Sequence, residues 1–399
     1  MKKILLILFG LLFVSGAYSA QIANVEYVHK MIEQTWDITV PYNSALNSVK
    51  QIANMKYLLS AIDVANHMLN GSATTDYGNG EFATTQVVDT DTVNTAVETL
   101  IVGDGTTERN YKFFITTTSN TISFDFSISA AGEFYVDWGD GTRNKITRTH
   151  TQGSEYSHNY STAGTYTIKI GGKATAYNTS TSTAAISFYV NSSQTKIASI
   201  DGSLGAIFGT LSSDTNNQPR FYWTFYGATN MTGSIPSDLF AGISGAPASS
   251  MFSGTFYGCS GLTGAIPDGL FAGISGAPAG NMFAYTFKGC SGLTGAIPDG
   301  LFGNLSGAPA IYMFYETFEE CSKLTSIPEN LFGNISGTPK GYMFSKTFYN
   351  CTSLTGPSAR INGQYLYEIW PDATTYYVDN MYYNATGLSD YSNIPSDWK

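Results

Sequence analysis

The sequence predicts a multidomain chain: an N-terminal α-helical hairpin, a β-sandwich, and a C-terminal solenoid of short repeats. Three observations predict it. Apolar residues recur at helical spacing within residues 21–70 and alternate at period two within 111–192. From 221 to 390 a block of about 30–31 residues returns at fixed phase. Composition sets the class. Charged residues are 13%, hydrophobic residues 43% and aromatic residues 14%, which excludes a mainly disordered chain. The net charge is −10 with no basic patch, which argues against a nucleic-acid partner. Four His and four Cys leave little material for a metal centre or a Cys/His catalytic pair, so no cofactor is expected.

Met1-Lys2-Lys3, the apolar run Ile4 to Val14 and the small residues around Ala17 to Ala20 have the layout of a cleavable signal peptide over 1–20. That run is too short to span a bilayer and no later segment is long and apolar enough to do so. The expected location is therefore secreted or cell-surface, with no transmembrane segment in the mature chain. In residues 21–70, Ile22, Val25, His29, Ile32 and Trp36 share one helical face. Ile52, Met55, Leu59, Ile62 and Leu69 share another, and Pro41 separates the two. Such a hairpin is too small for a large core, so its stripe must bury against the next domain or a second copy of the chain. Self-association through residues 21–70 is one expected contact. Residues 71–110, rich in Thr, Gly, Asp and Asn, read as a linker.

Residues 111–192 alternate. Ile122, Phe124, Phe126 and Ile128 form one inward set, as do Phe134, Val136 and Trp138. Tyr166, Ile168 and Ile170, then Ile186, Phe188 and Val190, form two more. Gly139-Asp140-Gly141-Thr142 is a tight turn between strands. An Asp beside two glycines accepts backbone hydrogen bonds, a better reading than a carboxylate pair of Asp137 and Asp140 for metal or acid/base work. The string Phe134-Tyr135-Val136-Asp137-Trp138-Gly139-Asp140-Gly141-Thr142, with His158-Asn159-Tyr160 and Ala163-Gly164-Thr165-Tyr166 downstream, resembles the polycystic-kidney-disease (PKD) type domain. The resemblance implies an immunoglobulin-like sandwich acting as a spacer or interaction module, with Trp138 and Asp140 structural.

Residues 193–220 read as a connection and cap, 221–390 as the repeats and 391–399 as a tail. Met251 to Pro267 returns as Met282 to Pro298, and less closely from Met313 and Met343. Cys259, Cys290, Cys321 and Cys351 mark the phase, and Ala228 and Ala385 fill that slot in the first and last copies. One coil cannot bury such a unit, so stacking is expected to align Phe256, Phe287, Phe318 and Phe348, and likewise Leu262, Leu293, Leu324 and Leu354. Leu-Thr-x-Ile is the expected strand of each coil, and Met-Phe-x-x-Thr-Phe a helical turn opposite it. The motif Phe-x-Gly-Cys-Ser-x-Leu-Thr-x-x-Ile-Pro, at 256–267 and 287–298, resembles the BspA-like surface proteins of bacteria. The resemblance implies a leucine-rich-repeat fold, exposure at the surface and a role in adhesion. The Gly-Ile-Ser-Gly-Ala-Pro connection at 273–278 departs from it.

Ala cannot stand for half a disulfide, so the four cysteines are expected to be buried, reduced thiols that pack structurally. The expected partner-binding residues are an exposed row, Thr263, Thr294, Thr325 and Thr355, and the aromatic Tyr257, Tyr285 and Tyr315, with Tyr349 beside them. The expected function is non-catalytic binding or adhesion to a protein or carbohydrate on a host or neighbouring cell. The alternatives are an accessory to an exported polysaccharide- or protein-degrading hydrolase and a subunit of a surface assembly. No Ser/His/Asp motif, HExxH or metal spacing supports an enzyme. His150 and His158 read as strand-edge residues. Asp268, Asp299, Glu316, Glu319, Glu320 and Glu329 read as scattered rather than paired.

Overall fold

A computed structural model of the chain describes residues 111–399. The signal peptide, helical hairpin and linker expected over 1–110 lie outside the described residues. Eight strands come first: β1 (Tyr111–Thr117), β2 (Thr121–Ile128), β3 (Ala130–Asp137), β4 (Arg143–Arg148), β5 (Ser154–Gly164), β6 (Thr167–Tyr177), β7 (Ile186–Ser187) and β8 (Ile197–Gly202). They pair antiparallel into one sheet in the order β4-β3-β6-β1-β8 and a second in the order β5-β2-β7. Alternation is the cause. Phe113, Ile115, Phe124, Phe126, Phe134 and Val136 are all fully buried, while their neighbours along each strand carry much of the polar surface. Rings from the two sheets meet: Phe126 lies 5.6 Å from Trp138 and Phe113 5.9 Å from Phe188, centroid to centroid. Ile122 leaves its expected inner face and is exposed, because the β2–β5 register shifts between Thr121 and Ser123.

The sheets pass directly into the repeats. β8, within the stretch read as a connection, pairs with β1. Ala185 and Phe188 donate their N–H groups to the carbonyls of Arg220 and Thr224. Phe188 stacks on Phe225 of the first repeat at 5.3 Å.

The expected fold class is overturned beyond this point. The described chain is mainly β, with two four-residue helices, α1 (Leu366–Ile369) and α2 (Thr375–Val378), and is not a helical hairpin followed by a leucine-rich-repeat solenoid. Leu-Thr-x-Ile does not build a continuous sheet. β10 (Gly295–Ala296) and β12 (Leu324–Ser326) form one parallel pair, and elsewhere in that row single bridges join Gly233 to Leu262, Gly264 to Leu293 and Gly356 to Leu388. The cause is local. Gly264 and Gly295 sit at φ 80° and 83°, and a proline without an N–H follows three residues later, so pairing stops after a residue or two. The 273–278 connection supplies a second short ribbon instead: β9 (Ser275–Gly276), β11 (Asn304–Gly307) and β13 (Asn334–Ile335) pair parallel in the order β13-β11-β9. β14 (Arg360–Ile361) and β15 (Gln364–Tyr365) close a hairpin ahead of α1.

Met-Phe-x-x-Thr-Phe is not helical either. In residues 250–259 every fourth residue is left-handed: Ser250 at φ 57°, Gly254 at 60° and Gly258 at 73°. Alternate N–H groups (Ser253, Thr255, Tyr257, Cys259) bond back three residues, as in successive turns. The others (Phe252, Gly254, Phe256, Gly258) donate to Met282, Ala284, Thr286 and Lys288 of the next repeat. Every backbone donor is thus satisfied without an α-helix. The same alternation recurs in the following repeats, and the buried rings lie in register. Phe225, Phe256, Phe287, Phe318 and Phe348 stack at 5.6 to 5.7 Å with planes within 9° of one another.

Candidate functional site

The period of four decides what faces out. Two residues point in, such as Thr255 and Phe256, and the next two turn away, such as Tyr257 and Gly258. Inside, polar groups close the ladder. Thr286 Oγ1 donates to Phe252 O at 3.0 Å and Thr317 Oγ1 to Phe283 O at 2.9 Å, one repeat back. Cys259, Cys290, Cys321 and Cys351 are free and buried, and each Sγ donates to the carbonyl of the phenylalanine one repeat earlier at 3.0–3.1 Å. Burial pushes all four thiols well above the usual range.

Outside, the turns carry a chain of aromatic rings. Tyr189, after β7, is half exposed and meets Tyr226 at 4.8 Å. Tyr226 lies face to face with Tyr257 at 4.8 Å. Tyr257 meets Tyr285 at 6.1 Å, and Tyr285 meets Tyr315 at 5.1 Å, both near right angles. The path continues through Tyr312 and Tyr342 (5.3 Å apart) to the exposed Tyr376. Four rings on or beside this path occupy left-handed backbone: Trp223 at φ 53°, Tyr285 at 59°, Tyr312 at 55° and Tyr342 at 54°. Each such position costs about 1–2 kcal/mol for an L-residue with a side chain. Gly254, Asn281 and Ser250 hold equivalent positions in other repeats, so the fold does not require an aromatic residue there. Gly254 has a further role: a Cβ on it would lie 2.3 Å from the Trp223 indole, so its bareness lets that ring lie down.

Charge gathers at the middle of this face. Lys288 contacts Glu316 in a close hydrogen bond and Glu319 at 3.1 Å, and Lys346 lies 3.8 Å from Glu316. The Lys288 ammonium also sits 5.6 Å over the Tyr257 ring and 5.8 Å over Tyr285. Glu316 and Glu319 are buried, at 4% and 7% exposure. Burial and the adjoining Glu316 push the Glu319 carboxyl up to about 7. Burial also acts to raise Glu316, but bonds from Lys288 and Tyr315 outweigh it and hold that carboxyl below the usual range. Burial opposes the Lys288 charge, but both glutamates outweigh it, so the ammonium persists above the usual lysine range. Two of the acids read as scattered, Glu316 and Glu319, are therefore paired, and Lys288 from one repeat away contacts both.

The predicted residues divide. Tyr257, Tyr285 and Tyr315 come together on the aromatic face, and Tyr349 stands 4.7 Å from Tyr383. Thr263, Thr294, Thr325 and Thr355 are exposed on the bridge side of each repeat, with Thr355 N and Oγ1 both donating to Thr325 O. Asp140 accepts from Thr142 N at 2.9 Å and contacts His158 Nε2 at 2.7 Å. Trp138 is buried, stacks on His158 at 4.9 Å and donates to Asn144 Oδ1. Asp137 accepts from Gly139 N and pairs with Arg143. Each Asp thus has its own structural partners. Sequence reasoning missed Trp223, Tyr226, Tyr312, Tyr342, Lys288, Glu316 and Glu319 as one face. The available signal was the outward pair at every fourth residue.

Among the described residues no helix is long and apolar enough to cross a membrane, and no three His, Cys, Asp or Glu side chains converge. No protein-family model, curated protein or solved structure matches the chain.

Proposed function

We propose that this chain is a secreted or cell-surface, non-catalytic binding protein that meets a protein or carbohydrate partner through the aromatic face of its repeats. One observation carries the reading: of the ten left-handed positions at these two phases of the repeat, four hold aromatic rings (Trp223, Tyr285, Tyr312 and Tyr342), where the other repeats place Gly254, Glu316, Lys346, Asn380, Ser250 or Asn281. Strain kept where a cheaper residue fits the fold marks a surface with a use. Rigid, amphipathic tyrosines supply contact area at low entropy cost. The layout at residues 1–20 supports export, and the PKD-like and BspA-like strings support the surface role, though not the leucine-rich-repeat fold implied by the second.

The pairing of Glu316 with Glu319, one held low and one raised, has the form of an acid/base couple. Its geometry favours a structural role. Both carboxyls are buried and engaged by Lys288, which leaves neither free to meet a substrate.

The test is binding of the purified full chain to arrays of glycans and extracellular proteins, compared with the variant Trp223→Gly/Tyr342→Asn. Saturable binding that the variant loses, without turnover of the partner, is expected. Turnover, or binding that the variant leaves unchanged, would overturn the reading.

A further inference from the structure

We infer that the β-sandwich is the folding template of the repeats rather than a spacer ahead of them: residues 185–210 form a winding of the repeat kind that the sandwich itself holds in order. The inference is independent of what the aromatic face binds.

Each repeat is bonded to its neighbour on three sides, and residues 185–210 supply the earlier partner on every one. On the side of the turns, Phe225 N donates to Thr255 O and Phe256 N to Thr286 O, and Phe188 N donates to Thr224 O in the same way. The side chains agree. Thr255 Oγ1 and Thr286 Oγ1 donate to Phe221 O and Phe252 O, and Thr224 Oγ1 donates to Ile186 O at 2.9 Å. Phe188 stands where an earlier column ring would, stacked on Phe225. On the bridge side, Thr263 N donates to Gly233 O and Thr294 N to Gly264 O, and Thr232 N donates to Ala198 O of β8, all at 2.8 Å. On the ribbon side, Gly245 N donates to Gly273 O at 2.9 Å and Thr210 N to Gly242 O at 3.0 Å.

What orders this winding differs from what orders a repeat. β7 pairs with β2 in one sheet and β8 with β1 in the other, so both sheets contribute to it. Beyond β8, Ala174 N of β6 donates to Ile207 O, and Phe208 stacks on Phe134 of β3 at 5.4 Å. The repeats have no such support of their own. Residues 221–359 hold no helix, and their strands run to two to four residues. Their alternate N–H groups close only on the next copy. In such a stack the interfaces between copies carry the stability, so the first copy is unfavourable without an ordered neighbour. The sandwich is that neighbour, ordered by its own pairing of β3 with β6 and β2 with β5. The far end offers less: there Tyr382 N donates to Trp398 O, and the short turn Ser396–Trp398 closes the column.

The experiment is a urea titration of the full chain with two readouts. Hydrogen exchange of peptides from β2, β3 and β6 follows the sandwich. Brief alkylation, located by mass spectrometry, follows Cys259, Cys290, Cys321 and Cys351, one buried thiol in each of four repeats. No urea concentration is expected at which the sandwich amides have exchanged and the thiols remain protected. Trp138→Phe perturbs a ring whose partners Phe126, His158 and Asn144 all lie in the sandwich. It should lower the midpoints of the sandwich and of all four thiols together, and speed labelling of each thiol in dilute urea about tenfold. Thiols that stay protected after the sandwich has unfolded would overturn the inference. So would a Trp138→Phe chain whose sandwich midpoint falls while the thiol midpoints stay in place. Should that variant fail to fold, Tyr160→Phe, which removes the hydrogen bond to Trp138 O, takes its place, and the wild-type titration decides in either case.

Discussion

The Cys290 thiol donates to the Phe256 carbonyl, 3.0 Å away and one repeat earlier. A sulfur that fills a buried slot and caps a neighbouring carbonyl has no need of oxidation. The folded protein is expected to resist thiol-alkylating reagents at all four cysteines and to react at all four once denatured. Cys290→Ala should cost about 1 kcal/mol, since Ala228 and Ala385 already fill that slot fully buried. A native thiol that alkylates rapidly, or a disulfide in the mass spectrum, would contradict this.

Glu319 makes stability depend on pH. Its carboxyl lies at about 7 in the folded chain against an ordinary value of 4.5. Between those values the folded state holds a proton that the unfolded state has released, so stability falls as pH rises through the window. Glu316, held low, acts in the opposite sense and only at more acidic pH. The melting temperature should fall from about pH 5 to about pH 7.5, and Glu319→Gln should flatten that slope. Identical slopes in both proteins would show that the proton resides elsewhere.

The column from Phe225 to Phe348 runs unbroken through five successive repeats. Phe287 is fully buried between Phe256 at 5.7 Å and Phe318 at 5.6 Å. Phe287→Ala should cost about 3–5 kcal/mol in chemical denaturation, and Phe287→Leu less than half of that. A loss of under about 1 kcal/mol for the alanine variant would mean that the repeats do not depend on this column.

Gly172 in β6 sits at φ 112°, and a Cβ there would lie 2.1 Å from the Glu133 carbonyl of β3. Gly132 faces Lys173 in the same way from β3. Gly172→Ala should destabilise the chain by at least about 2 kcal/mol, because the two strands have no room to separate. A neutral thermal shift would refute the close approach.

Glu320 gives the opposite expectation. It is exposed at φ 63°, where Gly258 and Gly289 sit at 73° in earlier repeats. Glu320→Gly should raise stability by about 1 kcal/mol, seen as a higher melting temperature. A lower one would mean that the glutamate makes a contact that outweighs its backbone strain.

Much of this was legible in the residues. Alternation located the inner faces at Phe124, Phe134 and Ile168, and the Ala228 and Ala385 substitutions identified the cysteine slot as small and apolar. The turns between Met251 and Cys259 were misread for a definable reason. Phe252 and Phe256 are four apart, and over two turns a period of 3.6 and a period of four place them alike. Left-handed Trp223, Tyr285 and Lys346 gave no warning, since glycine is the residue that announces such backbone. Glu316 and Glu319 looked isolated because their partner Lys288 is 28 residues from Glu316 in sequence.

Side-chain identity determined that the repeated Phe, Leu, Ile and Cys positions go inside, because an apolar group repeated at one phase has one way to leave water. The backbone path belonged to tertiary structure. Left-handed turns at Gly254 or Tyr285 close only when the alternate N–H groups find carbonyls in the next repeat, and that pairing is between segments some thirty residues apart. The same long-range docking decided which outward tyrosines became neighbours, and so made one face out of residues that sequence separates.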